Sequence, residues 1–321
     1  MRRAAEPDLR VVAFGGGHGL AASLSALRHV VPDVTAVVTV ADNGGSSGRL
    51  RREFGALPPG DLRQALAALC GDDDWGSTWA RVLQHRFVSP GAMNEHAVGN
   101  LLIVALWELL GDHVDGLDWV ARLLGAHGRV LPMSVTPIDI AAEVSGLVAG
   151  DPTLLTSVRG QVQVASTHGR VVSVRLEPAD PPACPQALDA VKAADWLVLG
   201  PGSWYTSVIP HLLVPALREA LVGSPARKVL TLNLEPQAGE TDGFRPETYL
   251  EVLTTHAPEL GLDAVLADRR SVPDPARLQE VAAGMGARLV VADLAVADGS
   301  PRHDAAKLAD AYADLLRADI G

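Results

Sequence analysis

A short unit near the start of the chain constrains the fold more than any other feature. Residues 10–14 read RVVAF, a Val-rich apolar run bounded by a glycine cluster, which predicts a buried parallel strand. Gly15, Gly16, Gly17, His18 and Gly19 follow, and residues 20–29, rich in alanine and leucine, predict a helix. Residues 35–40, TAVVTV, predict a second buried strand. Strand, helix and strand in about 30 residues make a β-α-β unit, whose crossover is right-handed. Parallel strands with helical crossovers need helices over both faces of the sheet, so all-α and all-β classes are excluded.

The same rhythm returns in the second half. Residues 196–199, 229–232, 264–266 and 289–291 are further buried strands, and helices are expected over 246–256, 275–284 and 304–318. The expectation is a Rossmann-like α/β fold with a doubly wound, mainly parallel sheet, formed as a single domain over residues 1–321. Two elaborations interrupt it. Asp61, with Gln64 three residues on, has the spacing of a capping box, and the chain reads as helical to about residue 127, most strongly over 94–110. Residues 129–133 suggest one more strand. Between about 138 and 178 the pattern switches to period 2, notably at 157–164 and 172–176, which predicts a small antiparallel sheet. The proline-rich stretch 179–185 reads as a connector.

Composition removes several function classes. Lys plus Arg is 27 against 38 for Asp plus Glu, a formal net charge of -11, which disfavours direct binding of nucleic acid or anionic membrane over most of the surface. A local basic pocket for a phosphorylated small molecule remains compatible with that charge. Two cysteines, Cys70 and Cys184, cannot form a disulfide framework, and a reducing cytoplasm fits. The longest apolar run, 101–107, is far short of the roughly 20 residues of a membrane span. No apolar stretch follows Arg2 and Arg3, so no signal peptide is expected.

The candidate site residues cluster where strands end. Residues 17–22 match GxGxxA after a strand and before a helix, the context in which glycines let backbone N–H groups approach a diphosphate. Asp42, twenty residues beyond Ala22 and just past the second strand, stands where an acid bonds a ribose hydroxyl. Both could equally serve tight strand-to-helix packing and a turn. Asp42, Asn43, Gly45, Ser46, Ser47 and Arg49 lie in a polar, glycine-rich loop, with Arg49 placed to pair a phosphate. Gly200, Gly202, Ser203, Thr206 and Ser207 form a second loop in the same position after another strand. Their hydroxyls suit phosphate or sugar, or a helix N-cap. His96 and Asn100 share a face at i, i+4 spacing. Asn233, Glu240 and Thr241 follow a third strand end, and Arg302 precedes an Asp304 N-cap near the last helix. Asp72, Asp73 and Asp74 read as a solvated loop, and no metal is expected there. No Walker GK[ST] is present.

Taken together, GGGHG at 15–19, ADNGGSSGRLR at 41–51, PPGDLR at 58–63, GNLL at 99–102, GPGSWYTSVIP at 200–210, GETDGF at 239–244 and RHD at 302–304 resemble the YvcK or gluconeogenesis-factor family. That family lies within a wider CofD-like superfamily, and the resemblance runs from about residue 10 to 317. It implies a cytoplasmic Rossmann-like protein that binds a nucleotide sugar, UDP-N-acetylglucosamine first among the candidates, at the residues above and Asp61. It also implies a link to cell-wall balance, cell shape and gluconeogenic growth, with no established reaction. The CofD side implies transfer of 2-phospho-L-lactate or an enolpyruvyl phosphate from a GTP- or GDP-linked donor to a deazaflavin, with magnesium.

The chain departs from the resembled pattern in places. His18 stands for a Thr, Asn43 for a second Asp, Ala97 for a Ser, Glu235-Pro236 for a Met-Thr pair and Ala305 for a Thr found in some members. The Asn43 change removes an acid that could share a metal, which favours a binding and regulatory protein over a transferase. A nicotinamide-dependent oxidoreductase, suggested by GxGxxA alone, lacks a Tyr-x-x-x-Lys proton donor. The expected ligand is therefore a nucleotide, a UDP-sugar ahead of an NAD-like dinucleotide or GDP/GTP. Magnesium is expected only with transferase chemistry. A regulatory protein partner and a homodimer are the further expectations.

Overall fold

The computed structural model describes residues 9–317. The chain opens with β1 (Arg10–Gly15), α1 (Gly17–Leu27) and β2 (Asp33–Val38), the β-α-β unit read from the sequence. After their first residues both strands are buried on both faces, as a covered parallel sheet requires. Helices α2 (Gly45–Phe54), α3 (Gly60–Ala68), α4 (Asp74–Gln84), α5 (Val98–Leu110) and α6 (His113–Leu124) follow before β3 (Arg129–Pro132). Next come β4 (Asp139–Ser145), β5 (Thr156–Arg159), α7 (Gln161–Ala165) and β6 (Arg170–Glu177). The chain then returns through α8 (Pro185–Ala193) to β7 (Trp196–Leu199). A π-type turn over Trp204–Val208 leads into α9 (Pro210–Leu213) and α10 (Pro215–Gly223). The last part is β8 (Arg227–Thr231), α11 (Pro246–His256), β9 (Ala264–Asp268), α12 (Pro275–Gly284), β10 (Arg288–Ala292) and α13 (Ala305–Arg317).

Seven strands form one sheet in the order β10-β9-β8-β7-β1-β2-β3, and every pairing in it is parallel. Winding runs outward from β1 in one direction and from β7 in the other. The β1/β7 boundary is thus the topological switch point, where open α/β sheets bind ligands beyond the carboxyl ends of their strands. The two glycine loops leave β1 and β7 side by side at that point. Strands β5-β4-β6 form the small antiparallel sheet.

Several local expectations are corrected. The 42–48 stretch is not all loop: α2 starts at Gly45 and takes Ser46 and Ser47 into its first turn. No capping box forms at Asp61, because α3 starts one residue earlier and its N-cap position, Pro59, has no side-chain cap. The block 61–127 is not one run of helix. Residues 85–97 leave the helix, where Pro90 and Gly91 follow Ser89, so α5 begins at Val98 rather than near 94. The period-2 reading of 157–164 holds only to Arg159. Gly160, at φ +105, ends the strand, and the Val162 N–H is caught by Asn43 Oδ1 at 3.1 Å at the start of α7. The connector ends in a helix, α8, with a proline in its first turn. Helices α9 and α10 were not anticipated. Asp304 does cap α13, accepting from the Ala306 and Lys307 N–H groups. The expected end of that helix at 318 lies outside the described residues.

Candidate functional site

The first and second glycine loops touch. A Cβ at Gly19 would stand 2.2 Å from the Pro201 carbonyl oxygen and 2.6 Å from Gly202 Cα, so only glycine lets α1 pack this tightly on the second loop. Beside this contact opens a cleft of about 910 Å³, within the range of small-molecule sites. His18, Gly19, Gly202, Asn233 and Arg302 line it, together with Ala80, Arg81 and Gln84 of α4 and the 233–238 and 301–303 segments. His18 is exposed to it. The N-terminus of α1 opens here. Its first N–H groups have no partner within the helix, and no side chain caps it. Partial positive charge at such an end favours an anion.

Behind the loop sits an acidic corner. A Cβ at Gly16 would lie 2.5 Å from Thr39 Cγ2, 2.6 Å from Asp61 Oδ2 and 3.2 Å from Ser207 Oγ, so the bare backbone admits all three side chains. Asp61 is part-exposed as a residue, but its carboxyl is packed among protein atoms. Burial raises its pKa to about 7; the Asp42 charge pushes the same way, and the Gly17 N–H and Arg63 pull against it. Asp42 reaches the corner from the other side: a Cβ at Gly60 would lie 3.1 Å from Asp42 Oδ2 and 2.3 Å from Ser47 Oγ. Asp42 Oδ1 accepts from Gly44 N–H at 2.8 Å. Thr39 Oγ1 is buried with no hydrogen-bond partner.

The acid beside Asp42 therefore comes from α3, not from position 43. Asn43 turns away, donating to Gln163 Oε1 at 3.1 Å while its own oxygen holds the Val162 N–H. It staples the 41–51 motif to the small β elaboration.

Ser46 is the centre of a buried network that the i, i+4 reading approached from the wrong side. His96 lies outside α5, whereas Asn100 is in its first turn, and the two meet on Ser46. Ser46 Oγ accepts from Asn100 Nδ2 at 3.0 Å and Ala97 N–H at 3.3 Å, and lies 3.1 Å from His96 Nδ1. With both acceptor directions used, the serine hydroxyl donates to Nδ1. Burial first and the Arg49 charge second lower the His96 pKa, which keeps the ring neutral for that role. Arg63, which sequence reading passed over, is 2% exposed. It donates to Asn100 Oδ1 at 2.9 Å and to Gln84, and burial lowers its pKa to about 10. Its signal was an arginine in the PPGDLR motif at the start of an otherwise apolar helix. Arg49 donates to the Ala92 and Asn94 carbonyls at 3.0 and 2.7 Å, tying down the 85–97 segment rather than facing the cleft.

The second loop is held by its own neighbours. Asn233 clamps Gly202 from both sides, accepting its N–H and donating to its carbonyl, each at 2.8 Å. Glu240, 4% exposed, accepts the Tyr205 and Thr206 N–H groups at 2.7 and 2.8 Å. It fills the N-terminus of the π-type turn, the capping role first read at Ser203 or Thr206; no side chain of Ser203 caps it. Burial raises the Glu240 pKa, and the two N–H groups oppose that. Thr241 accepts from Gln237 N–H at 2.8 Å and lies 3.3 Å from the Tyr249 hydroxyl. At the far wall, Arg302 pairs with Asp298 at 2.7 Å while lining the cleft. His303, also at the cleft, has its pKa lowered by burial to about 4.

This arrangement, a switch-point cleft beside an uncapped helix start with two acids behind it, defines a doubly wound α/β protein with a candidate ligand cleft. The family model described as 2-phospho-L-lactate transferase CofD matches residues 11–305, and the chain belongs to the CofD family. Its relatives place it on the gluconeogenesis-factor branch. It is 35% identical over 327 residues to the gluconeogenesis factor of Listeria monocytogenes, covering 98% of both chains. To that of Bacillus subtilis it is 33% identical over 324 residues, covering 96% and 98%. A Mycobacterium tuberculosis relative is 51% identical over 314 residues, 97% of this chain and 91% of its own. A crystal structure of a UPF0052-family protein from Bacillus halodurans superposes with a TM-score of 0.84 at 33% identity, covering 96% of this chain and 99% of that one.

Proposed function

We propose that the protein binds a nucleotide sugar, UDP-N-acetylglucosamine first, in the switch-point cleft, and that binding rather than turnover is its activity. The supporting observation is the uncapped start of α1 opening into a cleft of about 910 Å³. There the diphosphate takes the first-turn N–H groups beyond Gly17, whose own N–H bonds Asp61, and the nucleoside and sugar spread along the 233–238 and 301–303 walls. The relatives named gluconeogenesis factor support a role in gluconeogenic growth. We assign the chain a cytoplasmic regulatory role there, linked to cell-wall balance and cell shape. Calorimetric titration with UDP-N-acetylglucosamine tests this. Saturable binding is expected, with about 2.7 kcal/mol of stabilisation at 100 times the dissociation constant. No binding of any UDP-sugar, with tight binding of NAD or GDP instead, would overturn it.

One observation favours the second reading, a phospholactate or enolpyruvyl transferase acting on a deazaflavin. Asp42 and Asp61 converge, and their hard carboxylate oxygens suit magnesium. The two acids would hold that ion, which supplies charge neutralisation at a transferring phosphoryl group. Among the described residues no group of three or more metal-ligating side chains occurs. Incubation with a guanylyl-linked phospholactate, a deazaflavin and magnesium is expected to give no product above blank. Turnover that is lost in Asp61→Asn would reverse the ranking of the two readings.

A further inference from the structure

Three of the six tryptophans gather on one outer face of the helical block, although aromatic residues are only 4% of the chain. Trp75 on α4 and Trp119 on α6 are 54% and 53% exposed, and Leu123 between them is 38% exposed. The patch is continuous. The Trp75 indole N–H donates to the Leu123 carbonyl at 3.0 Å, and Trp75 and Trp79 stack at 5.7 Å between ring centroids. Leu123 follows Trp119 by four residues, on the same side of α6. The Arg122 guanidinium lies over the Trp119 ring at 5.1 Å.

Tryptophan rings left this open withhold a large apolar area from the core, and tryptophan is enriched at the centres of protein interfaces. The Trp75 side of the patch is acidic. Asp72, Asp73 and Asp74 immediately precede Trp75 and are exposed; Asp72 pairs with Arg28 and His29, and Asp73 caps α4 by accepting the Gly76 N–H at 2.7 Å while its charge stays at the surface. The same helix serves the cleft: Ala80, Arg81 and Gln84, further along α4, line it. We propose that this face docks a partner protein through a segment carrying apolar anchors and basic residues. The anchors cover Trp75, Trp119 and Leu123, and the basic groups meet Asp73 and Asp74. A second copy of this chain is disfavoured by the net charge of -11 that both copies would carry. The docked segment would rest on the helix that walls the cleft. The inference stands on this surface alone and does not depend on which molecule the cleft takes.

Two synthetic amphipathic helical peptides test it, one of leucine and lysine and one of leucine and glutamate, with affinities read by calorimetry and, in the wild type, by the emission of the exposed tryptophans. The lysine peptide is expected to bind with a blue shift, and to weaken as salt rises. It is expected to bind Trp75→Ser/Trp119→Ser about tenfold or more weakly, and Asp73→Asn/Asp74→Asn several-fold more weakly. All four positions are exposed, so unchanged circular dichroism and melting are expected to show intact folds. Equal binding of the two peptides, or affinity for the lysine peptide unchanged in the tryptophan variant, would overturn the proposal. So would a dimer in sedimentation that the tryptophan variant abolishes, since it would make a second copy the occupant.

Discussion

The two glycine loops at the switch point look alike in sequence and behave differently in the fold. Each follows a buried strand, opens with glycines and precedes a helical turn. In the second loop every prominent donor is spent. Asn233 takes the Gly202 N–H, and Glu240 takes those of Tyr205 and Thr206, so a protein carboxylate already sits where an anion would bind. In the first loop no N-cap side chain closes α1, and the one carboxyl at its start, Asp61, takes the Gly17 N–H while burial pushes it toward its protonated form. The second loop is therefore the more closed of the two, whereas the first opens into the cleft. What separates them is which distant side chain arrives at the helix start, not the glycine pattern.

The largest test of this contrast is the pH dependence of Asp61. Its folded pKa of about 7 lies above the ordinary 3.8, so the folded chain holds the proton more tightly than the unfolded one. Stability contributed by that proton is present in acid and lost as pH rises from about 4 to 7. The shift of roughly 3 units corresponds to at most about 4 kcal/mol. The difference in denaturant stability between wild type and Asp61→Asn is expected to grow in favour of the variant across that window and level off above it. A flat difference would mean the first loop is as settled as the second.

Next comes Glu240→Ala. Hydrogen bonds to a charged group contribute roughly 1.5–3 kcal/mol each, partly offset here by releasing a buried carboxylate. A net loss of about 3 kcal/mol is expected, read as a lower Tm without ligand. A variant that melts like wild type but binds nucleotide more weakly would make the second loop a receptor too.

Asp42→Ala is expected to weaken UDP-N-acetylglucosamine about 10- to 150-fold, if one hydrogen bond to a charged group is lost. Its Tm is expected to move little, since losing the Gly44 contact is balanced by relieving the Asp61 carboxyl. Calorimetry of both proteins checks this, and unchanged affinity would confine Asp42 to its turn. The smallest effect is expected for Arg302→Ala, whose exposed pair with Asp298 leaves Tm unchanged while affinity for the anionic ligand falls several-fold.

Much of this was legible in one dimension. Runs such as RVVAF and WLVL are too apolar and too short to be anything but buried strands, and the glycines after them mark where the backbone must turn closely. Their order along the chain set the switch point and both loops. The placement of Asp42, Ser46 and Asn233 just past strand ends was equally visible. Partner choice was not. Asn43 looked like a partner of Asp42 but bonds to Gln163 of α7, 120 residues away in sequence. Asp61 looked like a helix cap but faces Gly16 from another helix.

The sequence by itself determined the parallel sheet, its doubly wound class and the edge to which the glycine loops run, because hydrophobic periodicity and glycine placement act over a few residues. Only the tertiary structure decided which loop stays open. That choice rests on side chains such as Glu240, Asn233 and Asp61, each brought to a helix start or loop from tens of residues away, and a hydrogen-bond partner at that separation leaves no trace in local spacing.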